Sequence, residues 1–416
     1  MHAIIVGAGI GGLATALSLH SAGIECMIFE ATPTIDAAGL GINLQPMAVR
    51  ELAALGFEEQ LSRIASPIER LTYYNRHGQE VWTERRGRAS HYRWPQYAVH
   101  RGALQKLLLE EVCLRLGAGC VKTGHAFTGF EQDGSRVTAH FAERRDGAPS
   151  TTVSGDILIG ADGLHSTLRR GIYANEPLRF SGQMMWRGST VASPFLDGHT
   201  IIMAGHRNHK FLAYPMGQVG DGNVLVNWIA ELGTRGGPEL PEEWDRVADR
   251  DTFAGHFADW RFSFLDIPSL IEAAQTVLEF SKVDRDPVPQ WTFGRMTLLG
   301  DAAHPMQPTG GQAGSQAIMD ARCLAFHLAR NRDDPALALR CYEDERLPRM
   351  HAVALENRAM GSEAMMDIVE ERAPNGFERI SDVLPLAERE TMAAAYRQLS
   401  GLNVELVNNG SPYSVA

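Results

Sequence analysis

Ala3-Ile4-Ile5-Val6-Gly7-Ala8-Gly9-Ile10-Gly11-Gly12-Leu13 sets a short apolar run against a glycine-rich loop. Ala3 to Val6 reads as a buried strand. Gly7, Gly9 and Gly12 give the spacing G-x-G-x-x-G. A helix is expected over 13–22, with Leu13 and Leu17 on one face and Gly23 in the place of a helix-ending glycine. Glu25 to Phe29 reads as a second strand. It runs into Glu30, eighteen residues past Gly12. Gly7 permits a tight turn, Gly9 lets a pyrophosphate approach the backbone, and Gly12 lets the helix pack on the strand. The helix N-terminus offers free N–H groups to phosphates. Glu30 can accept hydrogen bonds from a ribose diol. Gly7, Gly9, Gly12, Leu13 and Glu30 are therefore candidate dinucleotide contacts. A glycine-rich turn without a ligand is the plainer alternative, and this pattern does not separate FAD from NAD.

Two later stretches address that choice. Asp156-Ile157-Leu158-Ile159-Gly160-Ala161-Asp162-Gly163 is an apolar strand entering an Asp-Gly turn, with Ser166 placed to begin a helix. Thr297-Leu298-Leu299-Gly300-Asp301-Ala302-Ala303-His304 is another strand meeting Gly-Asp. A loop from Pro305 to Gly310 follows, then a helix from about Gly311. Asp162 and Asp301 as simple helix caps are the alternative reading.

With these three motifs in order, the chain resembles the class A flavin monooxygenases, the para-hydroxybenzoate hydroxylase-like enzymes. The Gly300-Asp301 stretch is the most specific match, because it continues through His304, Pro308, Gly311-Gln312 and Asp320-Ala321. His100-Arg101-Gly102 and Gly41-Ile42-Asn43-Leu44-Gln45-Pro46 through Arg50 also look like family elements. Met185-Trp186-Arg187-Gly188 and Val283-Asp284-Arg285-Asp286-Pro287 look like the subgroup of phenazine-carboxylate and salicylate hydroxylases.

The resemblance implies a Rossmann-like FAD-binding domain with an inserted antiparallel-sheet substrate domain and C-terminal helices, an α/β fold with an α+β insert. It implies that Glu30 holds the adenosine ribose and Arg101 the pyrophosphate or ribityl region. Phe127 lies where the family packs backbone against adenine. Asp301 would bond the ribityl chain. Asp162, with Gly163, would support the flavin and the nicotinamide site. Gly41 and Arg50 belong to the loop beside the isoalloxazine ring. Pro308 would lie where oxygen is activated. Gly311, Gln312, Ala313 and Gly314 would face the pyrimidine end, where a helix N-terminus stabilises the anion formed on reduction. Three positions depart from the family: Ala31-Thr32 replaces the Arg after the ribose acid, Ala313 replaces a glycine, and Ser315 replaces Asn.

Between 181 and 281, runs rich in β-formers cover Gln183 to Thr190, Thr200 to Ala204, Lys210 to Tyr214 and Asn223 to Ala230. Turn residues separate them at Ser193-Pro194, Gly217 to Gly222 and Gly233 to Pro238. Leu71 to Tyr74 and Glu80 to Thr83 can add strands. The expected division is 1–70, 98–180 and 282–360 for FAD, 71–97 and 181–281 for substrate, and 361–416 for C-terminal helices and a tail. Candidate pocket residues are Gln45, Met47, Arg187, Tyr214, Met216, Trp228 and Met306. Arg187 suits a bidentate carboxylate, and Tyr214 a phenol or ring nitrogen. With Pro308, these two are the candidate catalytic residues. Against this, Arg187 also reads as a surface or ion-pair residue, and Trp228 and the methionines as plain core.

Elsewhere the reading is structural. His206 and His209, and the cluster Glu84 to Arg88, read as solvated loops, although the second could meet a nicotinamide phosphate. Asp284 to Pro287 reads as an ion-paired corner, and His304 as a helix or turn stabiliser, with proton transfer beside the flavin loop as the alternative. Pro335 and Pro348 are expected to interrupt the helical stretch 317–359. The tail around Asn408-Asn409-Gly410 is expected to fray.

The chain's 416 residues suggest two packed domains or one with an insert. Hydrophobic residues at 44% and charged residues at 21% exclude a disordered chain. Lys+Arg minus Asp+Glu is 39 − 50 = −11, which argues against nucleic acid and anionic membranes. No apolar run reaches a membrane span, and no signal peptide is read. Five cysteines without a C-x-x-C pair fit reduced thiols in a cytoplasmic protein, with no metal. A monomer or homodimer is expected.

The resulting expectation is an FAD-dependent monooxygenase using NADH or NADPH and O2. It would hydroxylate a small aromatic or N-heteroaromatic acid, with or without decarboxylation, through a flavin hydroperoxide. Alternatives are Baeyer–Villiger oxidation, N-oxidation or epoxidation, and a non-catalytic nucleotide-binding module. Halogenation is disfavoured by the lack of a Trp-x-Trp-x-Ile stretch.

Overall fold

Ala3 to Val6 lie at the centre of a six-stranded sheet that is parallel except for its edge strand Thr292–Phe293. The computed structural model describes residues 1–35, 40–143, 151–174, 176–234 and 246–415. His2–Val6 pairs in parallel with Glu25–Phe29 on one side and with Ile157–Gly160 on the other. Met296–Leu298 joins next, so all three motif-bearing strands are neighbours. Ala3, Ile4, Ile5, Leu158 and Ile159 are fully buried, because helices cover the sheet and the three-stranded antiparallel sheet His125–Gln132, Val137–Glu143 and Thr151–Gly155 packs against it as well. The helix after the first strand is Ile10–Ser21, beginning earlier than its apolar periodicity suggests, with Gly9 at its N-cap. It packs against Arg101–Leu116 and Ala313–Arg330.

The second sheet has eight strands, ordered Arg246–Val247, Val277–Asp284, Arg179–Ala192, Asn223–Gly233, His209–Gly220, Thr200–His206, Arg70–Tyr74 and Glu80–Arg85. It is antiparallel except where Thr200–His206 meets Arg70–Tyr74 in parallel. That exception arises because 70–85 joins from a distant part of the chain, not through a hairpin. Residues 235–238 of the turn expected after Gly233 lie outside the described residues.

Alternation gives this sheet two faces. Trp186, Phe211, Ala230 and Val226 point to one, where they pack with Phe253, Phe257 and Ile271. Tyr214, Met216 and Met203 point to the other, where Met365, Met366, Val369 and Ala393 of the C-terminal helices cover them. Nearer Val277–Asp284, the same face holds the partly exposed Arg187, Ile229, Leu278 and Phe280. This uncovered part adjoins Gly41, the start of the strand Gly41–Leu44.

Several local expectations need correction. His209 is not in a solvated loop. Its ring packs on Trp260 and Phe257, with centroids 4.6 and 4.8 Å away. Burial, aided by His206, pushes its pKa down to about 4 from the ordinary 6.5. The unfolded chain therefore takes up the proton more readily. This contribution to stability is present above about pH 6.5 and is lost as pH falls toward 4. In urea melts, His209→Gln should flatten the decline in stability between those two pH values. An unchanged slope would remove His209 as its source.

Arg86 is also not solvated. It is buried and ion-paired to Glu84 at 2.9 Å. Pro335 opens a helix, where Asp334 caps the N–H of Leu337. That helix, Pro335–Arg358, runs through Pro348 unbroken. The acidic corner is built as read, with Arg358 bridging Asp284 at 2.7 Å and Asp286 at 2.8 Å.

The tail does not fray. Arg322 donates to the carbonyl of Tyr413 at 3.1 Å, Ser411 donates to Glu51 at 2.6 Å, and Tyr413 donates to Glu345 at 2.6 Å. Buried Arg50, Glu51 and Arg322 need polar partners, and the tail supplies them. Tyr413 is 3% exposed. Tyr413→Ala should lower stability by about 3 kcal/mol in denaturant melts. A loss below about 0.5 kcal/mol, the range of surface substitutions, would mean the tail is not part of the cooperative fold. No helix among the described residues is long and apolar enough to cross a membrane.

Candidate active site

The first motif forms a cradle with one open side. Gly7 has φ +101°, and a Cβ there would strike the carbonyl of Ala161. A Cβ on Gly12 would strike the carbonyl of Gly7. A Cβ on Gly9 would meet nothing within 4 Å. Two glycines are thus required by packing, and the third faces space. Gly9 offers no side-chain cap, so the first N–H groups of Ile10–Ser21 stay available to an anion.

Glu30 is tied to this loop. One oxygen accepts from the Ala8 N–H at 2.8 Å. The other accepts from the Thr32 N–H at 2.8 Å and its hydroxyl at 3.0 Å. Thr32, a departure from the family, thus orients the ribose acid. Gln105, not among the sequence candidates, donates to the Ala8 carbonyl at 2.9 Å. Arg101 opens its helix with an exposed side chain. The Phe127 ring is buried edge-on against Phe141, in a strand joined to Glu30 through His125.

The second motif ends at Asp162 and Gly163, whose φ is +76°. One Asp162 oxygen accepts from the Leu168 N–H at 3.2 Å, and the other is buried without a partner. Burial pushes this carboxyl up, against hydrogen bonds from Ser166 and Leu168. Ser166 caps the helix Thr167–Ile172 by accepting the Arg169 N–H at 2.8 Å; Asp162 adds a second acceptor there and keeps one oxygen unpaired.

In the third motif, Asp301 is exposed while the residues after it are buried. The turn is held from behind by Asp320. One of its oxygens takes the Gly300 N–H at 3.2 Å and His304 Nε2 at 2.6 Å, and the other takes Arg346 Nε at 2.7 Å. His304 is therefore a turn stabiliser. Pro308 is exposed. The following loop is propped by Tyr396, whose hydroxyl donates to Asn357 Oδ1 at 3.1 Å. A Cβ on Gly310 would collide with that hydroxyl. Gly311 also needs positive φ, at +61°. Gln45 Nε2 donates to the Gly310 carbonyl at 3.2 Å, and the Gln45 N–H donates to Ser315 Oγ at 2.9 Å. Ser315, the third departure, therefore joins the loop to the strand Gly41–Leu44. Gln312 leaves a buried Nε2 without a partner just before the helix Ala313–Arg330, in which Ala313 and Gly314 are partly exposed.

Across from this cradle, Gly41 is gripped by the second sheet. Its N–H donates to Asn227 Oδ1 at 2.8 Å, and its carbonyl accepts from Arg187 Nη2 at 2.9 Å. Arg187 lies over Phe280 at 5.8 Å, has no carboxylate partner among the described residues, and leaves Nε buried and unpaired. Tyr214 shares this face. Burial pushes its hydroxyl well above the ordinary phenol range, with Arg187 opposing. Met216 also abuts Gly41, while Met47 and Met306 are buried in the core of the first domain.

Two candidates lie elsewhere. Trp228 points to the opposite face, where it stacks on Phe211 and donates to Thr190 at 3.0 Å. Its neighbour Asn227 takes the site-facing position, because adjacent strand residues point to opposite sides. Arg50 is buried against Glu51 at 2.8 Å and donates to the carbonyls of Leu406 and Val407. It holds the tail, not the flavin loop. Alternation within 223–230 marks Asn227 and Trp228 as opposites, but only the register assigns the faces. Nothing local marks Gln105, Phe280 or Tyr396.

The model of the FAD binding domain family matches residues 1–357. The chain belongs to that family. It is an FAD-dependent monooxygenase of the class A, para-hydroxybenzoate hydroxylase-like superfamily, related to aromatic hydroxylases. The phenazine 1,6-dicarboxylic acid hydroxylase of Lysobacter antibioticus is 40% identical over 369 residues, covering 85% of this chain and 88% of that protein. The 3-amino-4-hydroxybenzoate 2-monooxygenase of Streptomyces platensis is 35% identical over 395 residues, covering 92% of each. Among solved structures, HpxO of Klebsiella pneumoniae with FAD and uric acid is similar at TM-score 0.74. It is 26% identical, over 100% of this chain and 98% of that one. The chain's own geometry fits the cofactor of this monooxygenase family. Gly9 opens to a cradle, and Asp162 and Gln312 hold buried polar atoms that lack partners.

Proposed function

We propose that this monooxygenase hydroxylates a small aromatic or N-heteroaromatic acid, with NADH or NADPH and O2 as co-substrates. The observation that carries the reading is Arg187. It is a cation on the face of the sheet that adjoins Gly41, with no carboxylate partner among the described residues, and the Phe280 ring lies beneath it. A planar acid would place its carboxylate on the guanidinium and its ring among Phe280, Ile229 and Tyr214. The relatives named for phenazine dicarboxylate and aminohydroxybenzoate oxidation agree with an aromatic acid.

Bound FAD supplies the redox chemistry, accepting electrons from the nicotinamide and activating oxygen. Glu30 and the Gly7–Gly12 loop hold its adenosine and pyrophosphate, and Arg101, Asp162 and Asp301 the part nearer the ring. The N-terminus of Ala313–Arg330 offers N–H groups to the charged pyrimidine end. Tyr214 stays protonated at neutral pH, so it donates a hydrogen bond to substrate oxygen or ring nitrogen and does not serve as a base. The C-terminal helices exclude water from the neighbouring half of the sheet.

The test is nicotinamide and oxygen consumption by the FAD-loaded enzyme, with a panel of phenolic and heteroaromatic acids and mass analysis of products. Stimulated consumption with gain of one oxygen, or its replacement of a carboxylate, is the expected result. Reduction that no aromatic acid accelerates would overturn the substrate assignment.

A further inference from the structure

We propose that Cys323, His327 and Glu345 bind one zinc ion, at a site separate from the flavin cradle. Cys323 and His327 are four residues apart on Ala313–Arg330, so they share one helix face. The next helix, Pro335–Arg358, packs against this one and brings Glu345 across. The thiol sulfur, an imidazole nitrogen and a carboxylate oxygen all lie within 4.8 Å of one another. That is close enough for one ion to draw all three to bonding distance by small rotations.

The chemistry of the set selects the ion. One sulfur, one nitrogen and one oxygen suit borderline-soft zinc, and hard calcium or magnesium would take oxygens. Three protein ligands leave the fourth position to water. Cys323 forms the buried floor, while the Glu345 side chain is 43% exposed, so an ion can enter from solvent. His327 Nε2 now meets Glu345 Oε2 at 2.9 Å, and the ion would replace that contact with two coordinate bonds. Tyr413 donates to the other Glu345 oxygen at 2.6 Å, the outer hydrogen bond that orients a metal-bound carboxylate. On binding, the thiol loses its proton to solvent and no electrons move. The site lies ten residues along the helix from Ala313, or about 15 Å from the flavin end. Its effect would be to staple two helices and the tail.

The test uses the FAD-loaded full chain, treated with chelator and titrated calorimetrically with zinc chloride. One ion should bind with Kd at or below about 1 μM, and His327→Ala and Cys323→Ser should each weaken it about 100-fold or more. Tyr413→Phe should weaken it about 10-fold. Zinc X-ray absorption should show one sulfur at about 2.3 Å. His327 is near the surface, so its variant should retain the flavin spectrum and report on binding even if the cysteine variant does not fold. No uptake, uptake that His327→Ala leaves unchanged, or a zinc shell without sulfur would overturn the site.

Discussion

Arg187→Ala should raise the Kd of a carboxylated aromatic substrate about 10- to 100-fold, the range expected for losing a charge-assisted hydrogen bond. The decarboxylated analogue should lose far less. Arg187 also holds the Gly41 carbonyl, so any loosening of that strand would weaken both ligands alike. The ratio of the two losses therefore isolates the carboxylate contact. Arg187→Lys should recover part of the affinity, because a lysine supplies charge without a planar fork. Equal losses for both ligands, measured by flavin-perturbation titration, would take Arg187 out of the pocket.

The second large effect separates two glycines of one motif. Gly12→Ala puts a methyl group into the Gly7 carbonyl with backbone on both sides, so the loop itself must move. That variant should purify without flavin and melt at lower temperature even as apoprotein. Gly9→Ala meets nothing in the chain. Its apoprotein should melt like the parent, yet bind FAD at least about tenfold more weakly, because the methyl group occupies the space a pyrophosphate needs. Full FAD affinity in Gly9→Ala would show that the open side of the loop is not the phosphate site. An unchanged apoprotein melt for Gly12→Ala would contradict the close approach of helix and strand.

Much of the fold was legible because its signals are local. The strands at Ala3 to Val6, Glu25 to Phe29 and Ile157 to Gly160 are short apolar runs ending in glycine or an acid. The parallel pairing of the first two follows from the helix between them. The runs at Gln183 to Thr190 and Asn223 to Ala230 also form strands, each longer than its β-forming core. The errors share one cause. Trp228 and His209 were placed by residue type, Arg50 by resemblance and the tail by its polar composition, and each found partners far away in sequence. Trp228 is a large apolar residue near the site, but its side of the strand depends on register with Arg179–Ala192. Arg50 lies in a stretch that resembles a flavin loop, but its charge is met by carbonyls more than 350 residues away.

The sequence by itself determined the dinucleotide cradle. Steric rules of glycine, free N–H groups at a helix start and an acid at a strand end act over a few bonds, so they are written in consecutive residues. The tertiary structure alone decided the make-up of the face proposed for substrate. Arg187, Asn227, Phe280, Tyr214 and Gly41 come from five strands. What each can do depends on which face it takes and on whether a partner waits there. Arg187 counts as a candidate because folding left it without a carboxylate partner among the described residues, and Arg50 does not because folding brought it the carbonyls of Leu406 and Val407. A buried charge is defined by what surrounds it, and those surroundings exist only once distant strands have paired.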